Sequence, residues 1–230
     1  MLLREFDDNS YESLRDIQYE NDMVAIKKIT SYIEFSCSNI LELYRSYGKY
    51  FYRGINIYVD GSIHLDYKNS DIFFGKPPIN RRPVDTPIWI QAQLDVQLKG
   101  AGFKALRSNS IFCIGDRTFA EGYGEPYMIF PVNGFDYSWC SSAVDLFKEF
   151  IEANFKCGWE ELASQKEKQE ADQFREDLYK MSSQEFVKYY GFKNTDLSHS
   201  LIQTHEVLIH GDYVAISGRL GEEIVNGDKK

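Results

Sequence analysis

The stretch THEVLIHGDYVAIS, residues 204–217, contains a clear β-strand pattern. Two strand-forming runs, EVLI and YVAIS, flank the turn residues HGD (210–212), which predicts a β-hairpin. The run after Glu206 is continuously apolar, so its strand is expected to be buried. Glu206 stands at the border of that strand, which makes its carboxylate a candidate functional group, whereas most other acidic residues are expected to be solvated.

The rest of the chain contains both helical and strand patterns, which together predict an α+β domain. Residues 9–50 follow the helical period without a proline, and Gly48 is expected to end them. The runs 50–61 and 62–67 change to strand-forming residues and predict a second hairpin at their junction, Asp60-Gly61. Further predicted elements are helices over 88–98, 142–155 and 159–190, one or two strands over 103–115 that are broken at 108–110, and a buried strand over 128–132.

Composition and charge exclude several classes of protein. The 230 residues include 16 Gly and 6 Pro, too few for a long disordered or collagen-like region, and 43% hydrophobic residues supply a core. The net charge of −9 argues against generic DNA binding, which needs a surplus of Lys and Arg. The start lacks a signal peptide and no apolar run could span a membrane, so we expect a soluble cytoplasmic protein. We predict one domain over 1–230, with a helical region (1–50) and a core (51–220).

Cysteine and histidine spacing favours neither a metal site nor a disulfide scaffold. Each cysteine stands alone, without a CxxC pair, and is expected to be reduced and buried. The four histidines have no ligand spacing, so no metal is expected. A nucleophilic Cys113 or Cys140 would need an oriented histidine that the sequence does not nominate. The cysteines are Cys37, Cys113, Cys140 and Cys157.

Three short motifs, YRG (52–54), SNS (108–110) and THEVLI (204–209), are each predicted at or within a strand. Arg53 at a strand entrance can bind a phosphate or carboxylate bidentately, and Gly54 would let a ligand approach the backbone. A surface arginine beside a turn is the simpler alternative.

Alternation along a strand bears on the other two motifs. It places Ser108 and Ser110 on one face, with Asn109 pointing away, and a polar strand edge is the alternative. The same rule places Thr204 and Glu206 on one face.

The motifs in this order resemble the R-S-E branch of the ADP-ribosyltransferase superfamily. That branch has Arg-Gly on its first core strand, an S-T-S-like triplet on the second, and a later E-V-L-I segment. The resemblance covers about residues 50–217 and implies a split, mixed, mostly antiparallel sheet flanked by helices, with an NAD cleft between its strands. It includes Ala120, Tyr123, Gly124, Tyr127, Phe130 and Pro131, and the runs RSN, YGEPY and FP also resemble uncharacterised bacteriophage-encoded proteins.

The resemblance implies a mono-ADP-ribosyltransferase that cleaves NAD at the nicotinamide–ribose bond. ADP-ribose would pass to a protein or nucleic-acid acceptor, with NAD as substrate, no metal and no membrane partner. It implies that Glu206 is the catalytic acid, that Ser108 orients it, and that Arg53 grips the NAD phosphates or ribose. Further implied NAD contacts are Gly54, Ser110, Phe119 and Tyr123, the two aromatic residues by stacking on nicotinamide.

The acceptor side departs from the family pattern. Thr204 stands where arginine-specific relatives have Glu and others have Gln, and Gln203 is one residue out of register unless the strand bulges. The acceptor is therefore expected to be a group other than arginine, such as a base or water. The resemblance assigns acceptor contact to the loop KNTDLSHSLIQT, residues 193–204.

Two alternatives remain open. A catalytically inactive binding protein, such as a phage accessory or virion component with this fold, fits the composition equally well. An RNA 2′-phosphotransferase is disfavoured because its Arg-His-Arg-Arg pattern is missing. Arg81 and Arg82, beside prolines, are candidates for contact with a phosphate-rich acceptor, although two such arginines carry no specific signal.

Overall fold

The described part of the chain contains both helices and strands and has an α+β fold. The computed structural model describes residues 22–55, 72–82, 86, 88–144, 173, 176 and 180–226. Its helices are α1 (Asp22–Ser36), α2 (Ser38–Tyr47), α3 (Ile88–Gly100), α4 (Arg117–Glu121), α5 (Ser183–Tyr190), α6 (Leu197–Ile202) and α7 (Gly218–Asn226). Its strands are β1 (Tyr52–Ile55), β2 (Ile72–Gly75), β3 (Ile111–Ile114), β4 (Glu125–Pro131), β5 (Asp136–Cys140), β6 (Phe192–Lys193), β7 (Glu206–His210) and β8 (Tyr213–Ser217).

The described strands form one sheet in the order β2-β8-β4-β1-β3-β7-β5-β6. Every described pair is antiparallel. Most neighbours share four or five residue pairs, whereas β1 and β3 are joined by the single pair Tyr52↔Ile114. We therefore divide the sheet at this junction into a first half-sheet (β2-β8-β4-β1) and a second half-sheet (β3-β7-β5-β6).

The connection from β7 to β8 requires the sheet to bend. His210 ends β7 and Tyr213 begins β8, yet β3, β1 and β4 lie between these strands in the sheet. In a flat sheet the two strands would be about 19 Å apart, at roughly 4.8 Å per step. Three Cα–Cα steps span at most about 11 Å. The two half-sheets must therefore turn toward each other, and their weakly paired junction is the natural place for the bend.

The predicted hairpin at 204–217 is wrong in its pairing, although both strands exist. β7 pairs with β3 and β5, while β8 pairs with β4 and β2. The link between β7 and β8 is held by the residue after β4, since Val132 donates its backbone N–H to the Asp212 carbonyl at 2.8 Å. Gly211 has φ +150°, and a Cβ there would press against Phe135. The tight link thus joins two half-sheets instead of two neighbouring strands.

Apolar helix faces cover the sheet in two clusters. The larger core joins α1, α2 and α7 to both half-sheets, and the Tyr44 hydroxyl at its centre donates to the Ile129 carbonyl at 2.5 Å. The smaller core joins α3 and α5 to Cys140 and Phe192. Removing these apolar side chains from water is the main stabilising contribution to such a fold.

Several local predictions are confirmed and others are corrected. Gly48 ends α2 with φ +61°, as expected, but Cys37 interrupts the single helical region that was predicted before it. Residues 103–110 do not form a strand; they form turns and coil before β3. The predicted hairpin turn at Asp60-Gly61 lies outside the described residues. Of the helix predicted over 142–155, residues 142–144 are not helical, and residues 145–155 lie outside the described residues. In the described part of the chain, no helix has both the length and the apolar character needed to cross a bilayer.

Candidate functional site

Strand register places Glu206 at the level of β1. Ile114 on β3 is opposite Tyr52 on one side and opposite Glu206 on the other. At the usual strand spacing, the backbones of Tyr52 and Glu206 are about 10 Å apart across β3. Arg53 is the next residue along β1. The structure therefore brings the strands of Arg53 and Glu206 to either side of β3 at one level.

Electrostatic interactions indicate that Arg53 and Glu206 share one environment. Burial raises the pKa of the Cys113 thiol to about 12, Arg53 acts to lower it and Glu206 acts to raise it. The pKa of Arg81 is lowered to about 10 by burial and by nearby Arg53 and Arg107, while Glu206 acts in the opposite direction. The charges of Arg53 and Glu206 therefore both act on the Arg81 guanidinium and on the Cys113 thiol.

Two arginine side chains lie over the ring of Phe112 on β3. The Cζ atom of Arg81 is 4.0 Å from the ring centroid of Phe112, and that of Arg107 is 4.7 Å from it. Arg107 is buried, with only 6% of its surface exposed, and its Nη2 donates to Thr86 Oγ1 at 3.3 Å. Arg53, Arg81, Arg107 and Glu206 are called the charged cluster below. A guanidinium over an aromatic face is both attracted by the ring and restricted in its rotation.

Ser108 does not lie beside Glu206. It precedes β3, whose last residue, Ile114, is the one opposite Glu206. The four residues of β3 alone span about 10 Å. The Ser108 backbone N–H donates to Asp95 Oδ2 at 3.2 Å, and its hydroxyl also bonds to the Asp95 carboxylate. The predicted contact between Ser108 and Glu206 is therefore wrong. Ser108 instead bonds to Asp95 and connects the turn before β3 to α3.

The side chains of Ser110 and Asn109 also form hydrogen bonds within the turn. The Ser110 hydroxyl is fully buried and donates to Asn109 Oδ1 at 3.0 Å. Asn109 Oδ1 also accepts the backbone N–H of Leu106 at 2.8 Å, and its Nδ2 donates to the Lys104 carbonyl at 3.0 Å. The expectation that Asn109 points away while the serines share a face fails, since strand alternation does not apply in a turn.

Gly54 is covered by protein. A Cβ at this position would overlap the Ala120 carbonyl and the Tyr123 side chain. Glycine is therefore needed so that α4 and the turn after it can approach β1, which corrects its predicted role in ligand approach. Phe119 and Tyr123 are exposed, with 37% and 58% of their surface accessible, and their ring centroids are 5.8 Å apart.

The predicted acceptor residues lie before β7. Thr204 has φ +60° and Gln203 is the C-cap of α6, so neither belongs to the strand that begins at Glu206. The rule that placed Thr204 and Glu206 on one face fails here because a left-handed residue breaks the alternation. The segment 193–204 is not simply a loop, since half of its residues form α6 and Lys193 ends β6.

Sequence reasoning missed Asp95, Phe112 and Arg107. Asp95 on α3 accepts the backbone N–H of Arg107 at 2.8 Å as well as the two bonds from Ser108. Its pKa is raised by burial, and these hydrogen bonds and the charge of Arg107 oppose the rise. Asp95 lies twelve residues before the turn it holds, so no local pattern marks it. Phe112 reads as an ordinary strand residue in the run IFCI.

The described cysteines behave as apolar core residues. Cys37, Cys113 and Cys140 are free and buried, as predicted, whereas Cys157 lies outside the described residues. Burial raises the pKa of all three thiols, to about 12 for Cys37 and Cys113. Within the described ranges, no three His, Cys, Asp or Glu residues are grouped so that they could hold a metal ion.

Comparison of the chain with protein-family models, with curated proteins and with solved structures found no match in any of the three.

Proposed function

We propose that the protein is a mono-ADP-ribosyltransferase, which cleaves the nicotinamide–ribose bond of NAD and transfers ADP-ribose to a protein or nucleic-acid acceptor. The observation that carries the proposal is the placement of Arg53 and Glu206 on the two strands that flank β3, where both charges act on Cys113 and Arg81. These two residues are 153 positions apart in the chain and belong to different half-sheets.

The proposed chemistry needs a carboxylate at the ribose. Cleavage of the glycosidic bond builds positive charge on the ribose C1, as at glycosidase centres, and a nearby carboxylate stabilises that charge. Glu206 is half-buried and its Oε1 is shielded from solvent, so its charge would act in a medium of low dielectric constant. In the proposal Arg53 binds the phosphates, and Phe119 or Tyr123 stacks on nicotinamide.

Backbone bonds support Glu206 without the expected serine. Its N–H donates to the Val144 carbonyl at 2.7 Å, and β7 pairs with β3 on one side and β5 on the other. The residue opposite it on β3 is Ile114, which has no hydroxyl. In the proposed site the carboxylate is therefore positioned by the strand and not by Ser108.

Nicotinamide release from NAD by the purified protein tests the proposal. Glu206→Gln keeps the shape of the side chain and removes its charge, so turnover should fall by roughly a hundredfold or more. Glu125→Gln is the matched control, because Glu125 also begins a strand but is exposed, and its turnover should stay within about twofold of wild type. Equal rates for Glu206→Gln and wild type would remove Glu206 from the mechanism.

The second candidate is a binding protein with this fold that does not turn NAD over. It is favoured by Ile114, which occupies the position opposite Glu206 where the resemblance calls for a hydroxyl. NAD binding without nicotinamide release by the wild type would support this candidate and contradict the enzyme. Mass spectrometry of host protein and nucleic acid after expression, searching for an added ADP-ribose, would identify an acceptor if the enzyme is active.

A further inference from the structure

We propose that Arg81 and Arg53 together form a binding site for a diphosphate, so that Arg81 is a second ligand-binding arginine of this protein. The proposal rests on the proposed function only for naming NAD as the molecule that carries the diphosphate. The diphosphate site depends on the charged cluster alone and does not require cleavage of NAD.

Unused hydrogen-bond donors of both arginines point to an anion. Arg53 Nη1 and Arg81 Nη1 are buried, and within the described ranges neither has a hydrogen-bond partner. A buried guanidinium nitrogen without an acceptor is costly, and native proteins rarely leave one. Phosphate oxygens are the acceptors that match the planar fork of arginine, since each phosphoryl group can accept two N–H bonds.

The local charge balance also favours an anion. Among the described residues, the three guanidinium groups of the charged cluster face two carboxylates, those of Glu206 and Asp95, so these five side chains together carry an excess positive charge in a chain whose net charge is −9. Arg53 and Arg107 both lower the pKa of Arg81, which is the effect of like charges held close together. A bound dianion would relieve this repulsion.

Arg81 is held in place from both sides. Its backbone N–H donates to the Ser108 carbonyl at 2.7 Å, and its own carbonyl accepts Gln91 Nε2 at 2.6 Å. Phe112 supports the guanidinium at 4.0 Å. A side chain already fixed in its bound geometry loses little entropy on binding. The turn that holds Ser108 thus positions an arginine, although it does not position Glu206.

Neighbouring Arg82 supplies a natural contrast. It is exposed, whereas Arg81 has a buried guanidinium nitrogen and a ring beneath it. The two residues have the same chemistry and adjacent positions, and only one belongs to the charged cluster. A general electrostatic effect would be shared by both arginines, whereas a built site depends on Arg81 alone.

The presence of Glu206 near the arginines limits the ligand class. A phosphate chain longer than a diphosphate would extend its negative charge toward the carboxylate, whereas a diphosphate, alone or attached to an uncharged sugar, can place its charge on the arginines. An attached sugar would then lie toward Glu206. A nucleoside diphosphate sugar has this distribution of charge. The arrangement therefore fits the diphosphate of NAD with its adjoining ribose.

Calorimetric titration with inorganic pyrophosphate at low salt tests the site. We expect Arg81→Met to weaken binding by about tenfold or more, since a charge-assisted bidentate contact is lost, and Arg82→Met to stay within about twofold of wild type. Arg53→Met should weaken binding to a similar extent. Wild-type protein that does not bind pyrophosphate, or Arg81→Met that binds like wild type, would overturn the proposal.

A second variant tests the site in case Arg81→Met does not fold. Arg81→Lys keeps the charge and the apolar stem but loses the planar fork, and it should weaken pyrophosphate binding several-fold; unchanged affinity would overturn the site. Failure of the two proposals is distinguishable. Nicotinamide release with pyrophosphate affinity that is independent of Arg81 would reject the site alone, and Arg81-dependent binding without nicotinamide release would reject the enzyme alone.

Discussion

The two ends of β3 differ in composition, because the entry at 108–110 is polar and the exit at Ile114 is apolar. The entry, 108–110, is rich in hydroxyl and amide groups, but these groups bond to one another, to Asp95 and to nearby carbonyls. The exit at Ile114 has no polar side chain, yet it is the level at which Glu206 pairs with the strand. A polar triplet beside a strand is thus as suited to closing a turn as to forming a site.

The difference has a physical cause. A chain that leaves a helix and turns into a buried strand must satisfy several backbone N–H and C=O groups, and Ser and Asn side chains are well suited to this. At the exit of β3 the backbone is already paired on both sides, so an apolar residue suffices there. In the proposed site the charges come from neighbouring elements, Arg53 on β1 and Glu206 on β7.

The largest expected effect concerns the entry of β3. Asp95→Ala removes the acceptor of two backbone N–H groups and of the Ser108 hydroxyl, and it leaves the buried Arg107 without this counter-charge. Urea unfolding should show a loss of about 3 kcal/mol in the free energy of unfolding. Asp136→Ala, which breaks the exposed ion pair with Lys104, is the control and should cost less than about 1 kcal/mol. Similar losses for the two variants would show that Asp95 does not hold the turn.

A smaller effect concerns the exit of β3 and is pH-dependent. Burial raises the pKa of the Cys113 thiol to about 12 in the folded protein, from an ordinary value of 9.0. Between these values the unfolded chain binds fewer protons than the folded one, so stability falls as pH rises, by about 1.4 kcal/mol per unit for this thiol. Cys113→Ala should remove that part of the slope in urea unfolding between pH 9 and 11.

Cys37 provides a parallel test of the effect of a buried thiol on the pH dependence of stability. Its pKa is also raised to about 12, so Cys37→Ala should reduce the slope by a similar amount. A slope that is the same in wild type and Cys113→Ala would contradict the burial of that thiol.

The smallest expected effect is that of Ser108→Ala. Loss of one hydroxyl bond to Asp95 should cost about 1 kcal/mol of stability. Nicotinamide release per folded molecule should stay within about threefold of wild type, because Ser108 is distant from Glu206. A drop near that of Glu206→Gln would restore the serine to the catalytic role that the resemblance implies.

Local pattern was sufficient to predict many of the helices and strands. The end of α2 at Gly48, the helix over 88–98 and the strands on either side of 211–212 follow from nearest-neighbour chemistry, namely a left-handed cap, helical periodicity and β-branched runs. Arg53 and Glu206 are candidates from the sequence because each stands at the edge of such a run. These features depend on residues within a few positions of one another.

Tertiary structure alone decided what those residues contact. No local rule separates β7 from β8 by three strands, distinguishes Arg81 from Arg82, or assigns Gly54 to the packing of α4. Each outcome depends on partners distant in the chain: β3 and β5 for β7, Phe112 and Ser108 for Arg81, and Ala120 for Gly54. A sequence specifies local conformation through short-range sterics and hydrogen bonding, whereas register and burial are settled only when the whole core packs.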